Sequence, residues 1–176
     1  PSWKRRVMGC FRCAWLLVAL GLYFGPITLR GDSTVVFNEI MYHPHPADPA
    51  PEWIELHNQM AVDMDLSGWS LASGVDYTFA EGTILSGGGY LVVAADPAAL
   101  TQLTGLTNIL GPFTGRLANE GERLELRNNN QRLMDELRYR DDEDWPLAAD
   151  GAGVSLAKLR PASGSAEAAS WAASAQ

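Results

Sequence analysis

Trp53-Ile54-Glu55-Leu56-His57-Asn58 alternates with a period of two, so Ile54 and Leu56 share one face of an extended segment while Trp53, Glu55 and His57 share the other. One face suits a core and the other suits partial contact with water. Upstream, Val35-Val36-Phe37-Asn38-Glu39-Ile40-Met41-Tyr42 reads as a first strand. It is stopped by His43-Pro44-His45-Pro46 and the Ala/Pro run to Pro51, because proline removes ladder donors. Downstream, strand candidates are Trp69 to Ala72, Tyr77 to Phe79, Thr83 to Leu85, Tyr90 to Ala94, Arg123 to Asn128, Leu133 to Tyr139 and Val154 to Leu159. Turn signals separate them at Ser73-Gly74, Glu81-Gly82, Gly87-Gly88-Gly89, Asn128-Asn129-Asn130 and Asp150-Gly151. Leu133 to Tyr139 alternates imperfectly, as a bulged strand does. The one helical candidate, Asp96 to Leu103, has Asp96 as N-cap and Pro97 at the first helical position.

These elements predict an all-β fold, a β-sandwich of seven to nine short strands with one short helix. Composition agrees: 47% hydrophobic and 19% charged residues exclude a disordered polar chain, and 17 Gly with 10 Pro suit a turn-rich β protein. The 176 residues support one ordinary domain.

Charge divides the chain. Up to Gly31 the charged residues are Lys4, Arg5, Arg6, Arg12 and Arg30, with no acid, whereas from Asp32 onward 8 bases face 21 acids, a net of -13 within the chain's -8. Lys4-Arg5-Arg6 precedes the apolar run Cys13 to Leu29, which is the order of a secretory signal. The expected organisation is a signal peptide over 1–31, a β-sandwich over 32–161, and a terminal strand or linker segment over 162–176. The alternative for 1–31 is an N-terminal membrane anchor, although Gly25-Pro26 would break a spanning helix. Cys10 and Cys13 fall within this leader, and no cysteine follows Asp32, so the body must be held by its core rather than by disulfides. A body this acidic repels phosphate backbones, and nucleic acid is not an expected partner.

The motifs together resemble the lamin tail domain family in its bacterial exported form. They are Phe37-Asn38-Glu39-Ile40-Met41, Glu52-Trp53-Ile54-Glu55-Leu56-x-Asn58, Asp65-Leu66-Ser67-Gly68-Trp69 and Gly87-Gly88-Gly89-Tyr90-Leu91-Val92-Val93. The series continues with Leu117-x-Asn119-x-Gly121-Glu122-x-Leu124-x-Leu126, Tyr139, Asp141-Asp142, Trp145-Pro146 and Asp150-Gly151-x-Gly153-x-Ser155-Leu156. Two departures stand out: Ala157-Lys158 where an acid is expected, and Ser170 before Trp171 where Asn is usual. The resemblance implies an immunoglobulin-like sandwich and a non-catalytic interaction or adhesion role as an accessory part of a larger exported protein. Physically, Gly68 and Gly121 sit where turns need positive φ, and Trp53, Trp69 and Trp145 suit the core and its edges.

The chemistry-bearing candidates are acidic. Asp141-Asp142-Glu143-Asp144 has the charge for Ca²⁺ but lacks the spacing of a dedicated calcium loop, so a solvated acidic turn is the favoured reading and Asp141, Asp142 and Asp144 are the metal candidates. No other cofactor is expected. Glu39, Glu52 and Glu55 fall on neighbouring strands; Glu39 and Glu55 lie inside strands, where an acid needs a partner, and an ion pair with Arg116, Arg123 or Arg138, or a backbone cap, is the favoured reading. A carboxylate or metal-dependent hydrolase using these acids is the alternative function. His43, His45 and His57 lack metal-ligand spacing, and no nucleophile elbow, phosphate loop or dinucleotide motif is present. The expected partner is a protein or surface polymer, with membrane contact only through an uncleaved leader.

Overall fold

A computed structural model describes residues 34–47, 50–142 and 144–174. The leader reading, with its cysteines, and Glu143 lie outside these residues. Among the described residues no helix is long and apolar enough to cross a membrane.

The chain forms a two-sheet sandwich. The first sheet is built from β1 (Val35–Met41), β2 (Trp53–Asn58), β7 (Tyr90–Ala94), β8 (Ile109–Leu110), β12 (Leu156–Lys158) and β13 (Trp171–Ala173), in the order β13-β12-β1-β2-β7-β8. The second contains β4 (Ser70–Ala72), β5 (Val75–Thr78), β9 (Thr114–Gly115), β10 (Gly121–Arg127) and β11 (Leu133–Arg140), in the order β11-β10-β4-β5-β9. A small ribbon pairs β3 (Met64–Asp65) with β6 (Ile84–Leu85). Each of the nine expected strands is present; Trp53–Asn58 and Tyr90–Ala94 have the expected ends and the other seven are shifted at one or both ends. The structure adds β3, β8 and β9, two-residue pairings too short to carry a sequence period, and within the terminal segment it places β13 over Trp171–Ala173.

Alternation decides which side chains enter. Phe37, Ile40, Ile54, Leu56 and Val93 from the first sheet meet Leu71, Val75, Leu124, Leu126 and Leu137 from the second and Phe79 just after β5, all at most 2% exposed. The rings of Tyr42 and Tyr139 pack 4.7 Å apart across the interior. The Tyr139 hydroxyl donates to the Ala118 carbonyl at 2.8 Å and contacts Glu122 at 3.0 Å, so its polar end is satisfied. Burial pushes the Tyr42 phenol up to about 12, with Asp150 and Asp141 adding to the shift.

Turns and bulges follow local chemistry. Gly68 and Gly121 have φ of +69° and +101°, and a Cβ on Gly121 would meet the Tyr139 carbonyl oxygen at 2.5 Å. The register between β10 and β11 slips after Leu126, which faces Asp135 while Arg127 faces Leu133; Met134 is the extra, bulged residue. A second slip in the pairing of β1 with β2 makes Asn38 the bulged residue of β1. Helix α1 (Pro97–Thr104) begins as its sequence dictates, Asp96 accepting from the Ala99 amide at 3.0 Å, and it ends on Gly105. It connects β7 to β8, which run parallel.

Candidate functional site

Register assigns the acids to one face. Glu39 of β1 lies directly opposite Glu55 of β2, and Glu55 lies opposite Val92 of β7, so the three side chains form one row across the outer face of the first sheet. On one side of this row lie Met41, Trp53 and Ala94; on the other lie Val36, His57 and Tyr90. Glu39, Trp53, Glu55 and Val92 are half-buried, and Tyr90 is 53% exposed. The rings of His57 and Tyr90 stack at 4.4 Å, with His57 held through Nδ1 on the Gly89 carbonyl at 3.0 Å.

The expected arginine partners go elsewhere, which corrects the ion-pair reading of Glu39 and Glu55. Glu55 instead accepts from the Asn38 side-chain amide at 2.8 Å, and Glu39 accepts from the Ser155 hydroxyl. The physical reason is layer separation. Arg123 and Arg138 sit on β10 and β11 of the other sheet, where Arg123 bonds Glu136 at 2.6 Å and Glu125 at 2.7 Å, and Arg138 reaches Glu136 at 3.5 Å. Arg116 approaches Glu52 at 3.6 Å. Glu52 precedes β2 and is turned away from the other two acids; it caps the chain by accepting from the Leu117 amide at 2.8 Å. Burial raises the Glu55 carboxyl above its ordinary value, the Asn38 bond opposing this and the Glu39 charge adding to it.

The acidic turn is separate from this face. Asp141, Asp142 and Asp144 are exposed, and Asp142 pairs with Arg140 at 3.3 Å. Among the described residues no group of three or more His, Cys, Asp or Glu side chains converges as a metal cage would require. The histidines are likewise dispersed: His43 bonds Asp150, His45 accepts from the Ala47 amide at 3.1 Å, and His57 lies in the stack described above. A shallow cleft of about 320 Å³ lies beside Arg123, Arg138 and Arg140, but each guanidinium is already engaged by a carboxylate.

The signature residues divide between core, turns and polar clamps. Trp69 and Trp145 are buried, while Trp53 stands on the outer face. Pro146 precedes a single 3₁₀ turn over Leu147–Ala149, and Gly151 and Gly153 follow it with φ of +73° and +83°. Asn119 is half-buried in the loop between β9 and β10. Asn58 is fully buried, and its side chain makes four bonds: Nδ2 donates to the carbonyls of Val62, Leu85 and Ser86 at 2.8, 3.0 and 3.1 Å, and Oδ1 accepts from the Met60 amide at 3.0 Å.

A polar cluster between the sheets was not anticipated from the sequence. Asp135, beside the bulge in β11, accepts from the Phe37 amide at 2.9 Å and the Ser165 hydroxyl at 2.5 Å, tying the second sheet to β1 and to the terminal segment. Lys158 is buried nearby, its Nζ 5.7 Å from the Trp171 ring centroid. The only forewarnings were the broken alternation of Leu133 to Tyr139 and a lysine where an acid was expected.

Burial raises the Asp135 carboxyl, although the Ser165 and Phe37 bonds and the Lys158 charge oppose it. Burial lowers the Lys158 amine, with Asp135 opposing. A carboxyl whose pKa is raised on folding adds stability that is complete below its unfolded value and is lost as pH rises through its folded value. Asp135, Glu55 and Glu122 all shift this way. The melting temperature is therefore expected to fall as pH rises from about 4 to about 7, and Asp135→Asn should flatten that fall. Melts by circular dichroism across this range check it; a wild-type profile that climbs with pH contradicts the assignment.

No curated protein matches the chain. A family model described as Lamin Tail Domain matches residues 30–141, covering β1 through β11 and the acids of the outer face. The chain belongs to the lamin tail domain family, and its sandwich is the immunoglobulin-like fold of that family.

Proposed function

We propose that the protein is a non-catalytic interaction module of an exported, multidomain protein, recognising a protein or a surface polymer outside the cytoplasm. The observation that carries this reading is the placement of Glu39 and Glu55, both half-buried, on the outer face of the first sheet, each held by a neutral hydrogen-bond donor. Carboxylate hydrolysis needs a site that encloses the substrate and excludes water, whereas a partly exposed sheet face suits recognition. Family membership favours the same reading by analogy of fold. The body's net charge of -13 from Asp32 onward disfavours nucleic acid as the ligand.

Capture of a binding partner from envelope extracts, run beside a glycan array, tests the module reading. Silence in both leaves only a spacer role. A calcium-dependent hydrolase predicts a melting temperature raised by Ca²⁺ and lowered by EDTA, because a ligand of the native state stabilises it. We expect no shift in either condition; a rise with Ca²⁺ abolished by Asp141→Asn would overturn the non-catalytic reading in favour of a metal site.

A further inference from the structure

We propose that the outer face of the β10–β11 hairpin docks an extended acidic polypeptide segment, seating a carboxylate over Gly121 between Arg123, Arg138 and Arg140. This rests on the module reading and names its ligand class. Alternation turns Leu124, Leu126, Leu137 and Tyr139 into the core, so Arg123, Glu125, Glu136, Arg138 and Arg140 stand on the outer face. Register sets Arg123 directly opposite Arg138 and Glu125 directly opposite Glu136. Glu136 bridges the two facing guanidiniums from one side, at 2.6 Å to Arg123 and 3.5 Å to Arg138. On the other side the next outward position of β10 is Gly121, opposite Arg140, and it carries no side chain. The cleft of about 320 Å³ opens there, lined also by Glu120 and Asp142. Two cations facing each other repel unless an anion joins them, and the hairpin supplies its carboxylates on one flank of this pair alone.

The guanidiniums keep donors for a ligand. The side chains of Arg123, Arg138 and Arg140 are 42%, 56% and 61% exposed, and in its ion pairs each uses one nitrogen: Nη2 of Arg123 and of Arg138, and Nη1 of Arg140 toward Asp142. A guanidinium has five N–H donors in a planar fork that fits a carboxylate. Glu136 and Glu125 hold Arg123 at 2.6 and 2.7 Å, which pre-organises it. The contacts of Arg138 and Arg140, at 3.5 and 3.3 Å, are long and exposed, and they yield to a ligand at little cost.

Spacing selects a polypeptide. Arg138 and Arg140 are alternate residues of one strand, about 7 Å apart, and acids at alternate positions of an extended segment repeat at the same distance. The Tyr139 ring is fully buried, and among the described residues no aromatic side chain faces the cleft, which therefore offers no platform on which a ring ligand stacks. Charge agrees locally: five of the eight bases from Asp32 onward, Arg123, Arg127, Arg132, Arg138 and Arg140, belong to this hairpin. Screening acts over about 8 Å at physiological salt and the sheets of a sandwich lie about 10 Å apart, so acids of the far sheet have little influence on a short ligand held here. A long polyanion such as nucleic acid extends past the hairpin and meets the rest of the acidic body.

The test is fluorescence anisotropy with a labelled octapeptide of alternating glutamate and threonine, beside its lysine counterpart, a galacturonate oligosaccharide and inorganic polyphosphate. We expect saturable binding of the glutamate peptide alone, weakened about tenfold or more by Arg138→Gln with Arg140→Gln. Arg138→Lys with Arg140→Lys keeps the charge but loses the fork, and about a fivefold loss is expected. The control pair Arg132→Gln with Arg160→Gln removes equal charge from exposed positions outside the cleft and should change affinity by less than about threefold. All four positions are exposed, so every variant is expected to melt with the wild type. Equal weakening by the two glutamine pairs would mean diffuse attraction and overturn the site, as would full affinity in the lysine pair. Binding of galacturonate or polyphosphate in place of the peptide would overturn the occupant, as would no peptide binding. Sedimentation velocity separates a second copy: self-association abolished by Arg138→Gln with Arg140→Gln would put this chain's own acidic turn in the cleft and likewise overturn the occupant. If the peptide fails while envelope extracts still yield a partner, this proposal falls and the module reading stands.

Discussion

Trp171→Ala is expected to lower the free energy of unfolding by about 3–5 kcal/mol, the range for truncating a buried large aromatic. Trp171 is 3% exposed, its indole N–H donates to the Ser165 carbonyl at 3.0 Å, and its ring lies beneath the Lys158 ammonium. The substitution opens a cavity, orphans a buried carbonyl and removes the cation's aromatic neighbour together. A related deletion should act more strongly. The family match ends at residue 141, yet β12 pairs with β1 and β13 pairs with β12, and Trp145, Ala149, Leu156 and Trp171 belong to the core. A chain ended at Asp141 would leave the β1 edge unpaired and uncover that part of the interior. Urea titration followed by tryptophan fluorescence checks both. Trp171→Ala should keep a cooperative transition at lower urea, and the shortened chain should show none. A shortened chain that unfolds cooperatively at the wild-type midpoint would refute the integral role of the terminal strands.

Asn58→Asp is the second large expected effect, although it preserves side-chain shape. Nδ2 of Asn58 is surrounded by three carbonyl oxygens at 2.8 to 3.1 Å, all accepting from it. A carboxylate oxygen there meets three acceptors with no donor, at a site with no exposed surface. The amide has two N–H groups to lose, and each lost bond to a buried acceptor costs about 1–3 kcal/mol, so a loss of at least about 2 kcal/mol at neutral pH is expected. Because this environment raises the new carboxyl's pKa, stability should recover as pH falls and the group gains a proton to donate. Melts at neutral and acid pH decide it: a variant as stable as wild type at neutral pH would show that the amide is not the clamp of this turn.

Several elements were legible because their causes are local. The period of Trp53 to Asn58 set its two faces, the Asp96-Pro97 start set the helix, and the glycines at 68 and 121 marked turns of positive φ. The broken alternation near Asp135 marked a bulge for the same reason. Partner choice was not legible. The arginines assigned to Glu39 and Glu55 were plausible by charge, but charge does not reveal which layer a strand joins, and Arg123 and Arg138 turned out to face away on the other sheet.

By itself, the sequence determined the class of elements, the core-facing positions, the division of charge and the family, because periodicity and turn chemistry act over a few residues. Only the tertiary structure decided that Glu39 faces Glu55 across a strand pair and that Asp135 reaches Phe37 and Ser165. Asp135 and Phe37 are 98 positions apart, and Glu39 and Ser155 are 116 apart. Contacts at such separations are fixed by strand order and register, which depend on how the two hydrophobic faces close over one core and leave no local pattern in the chain.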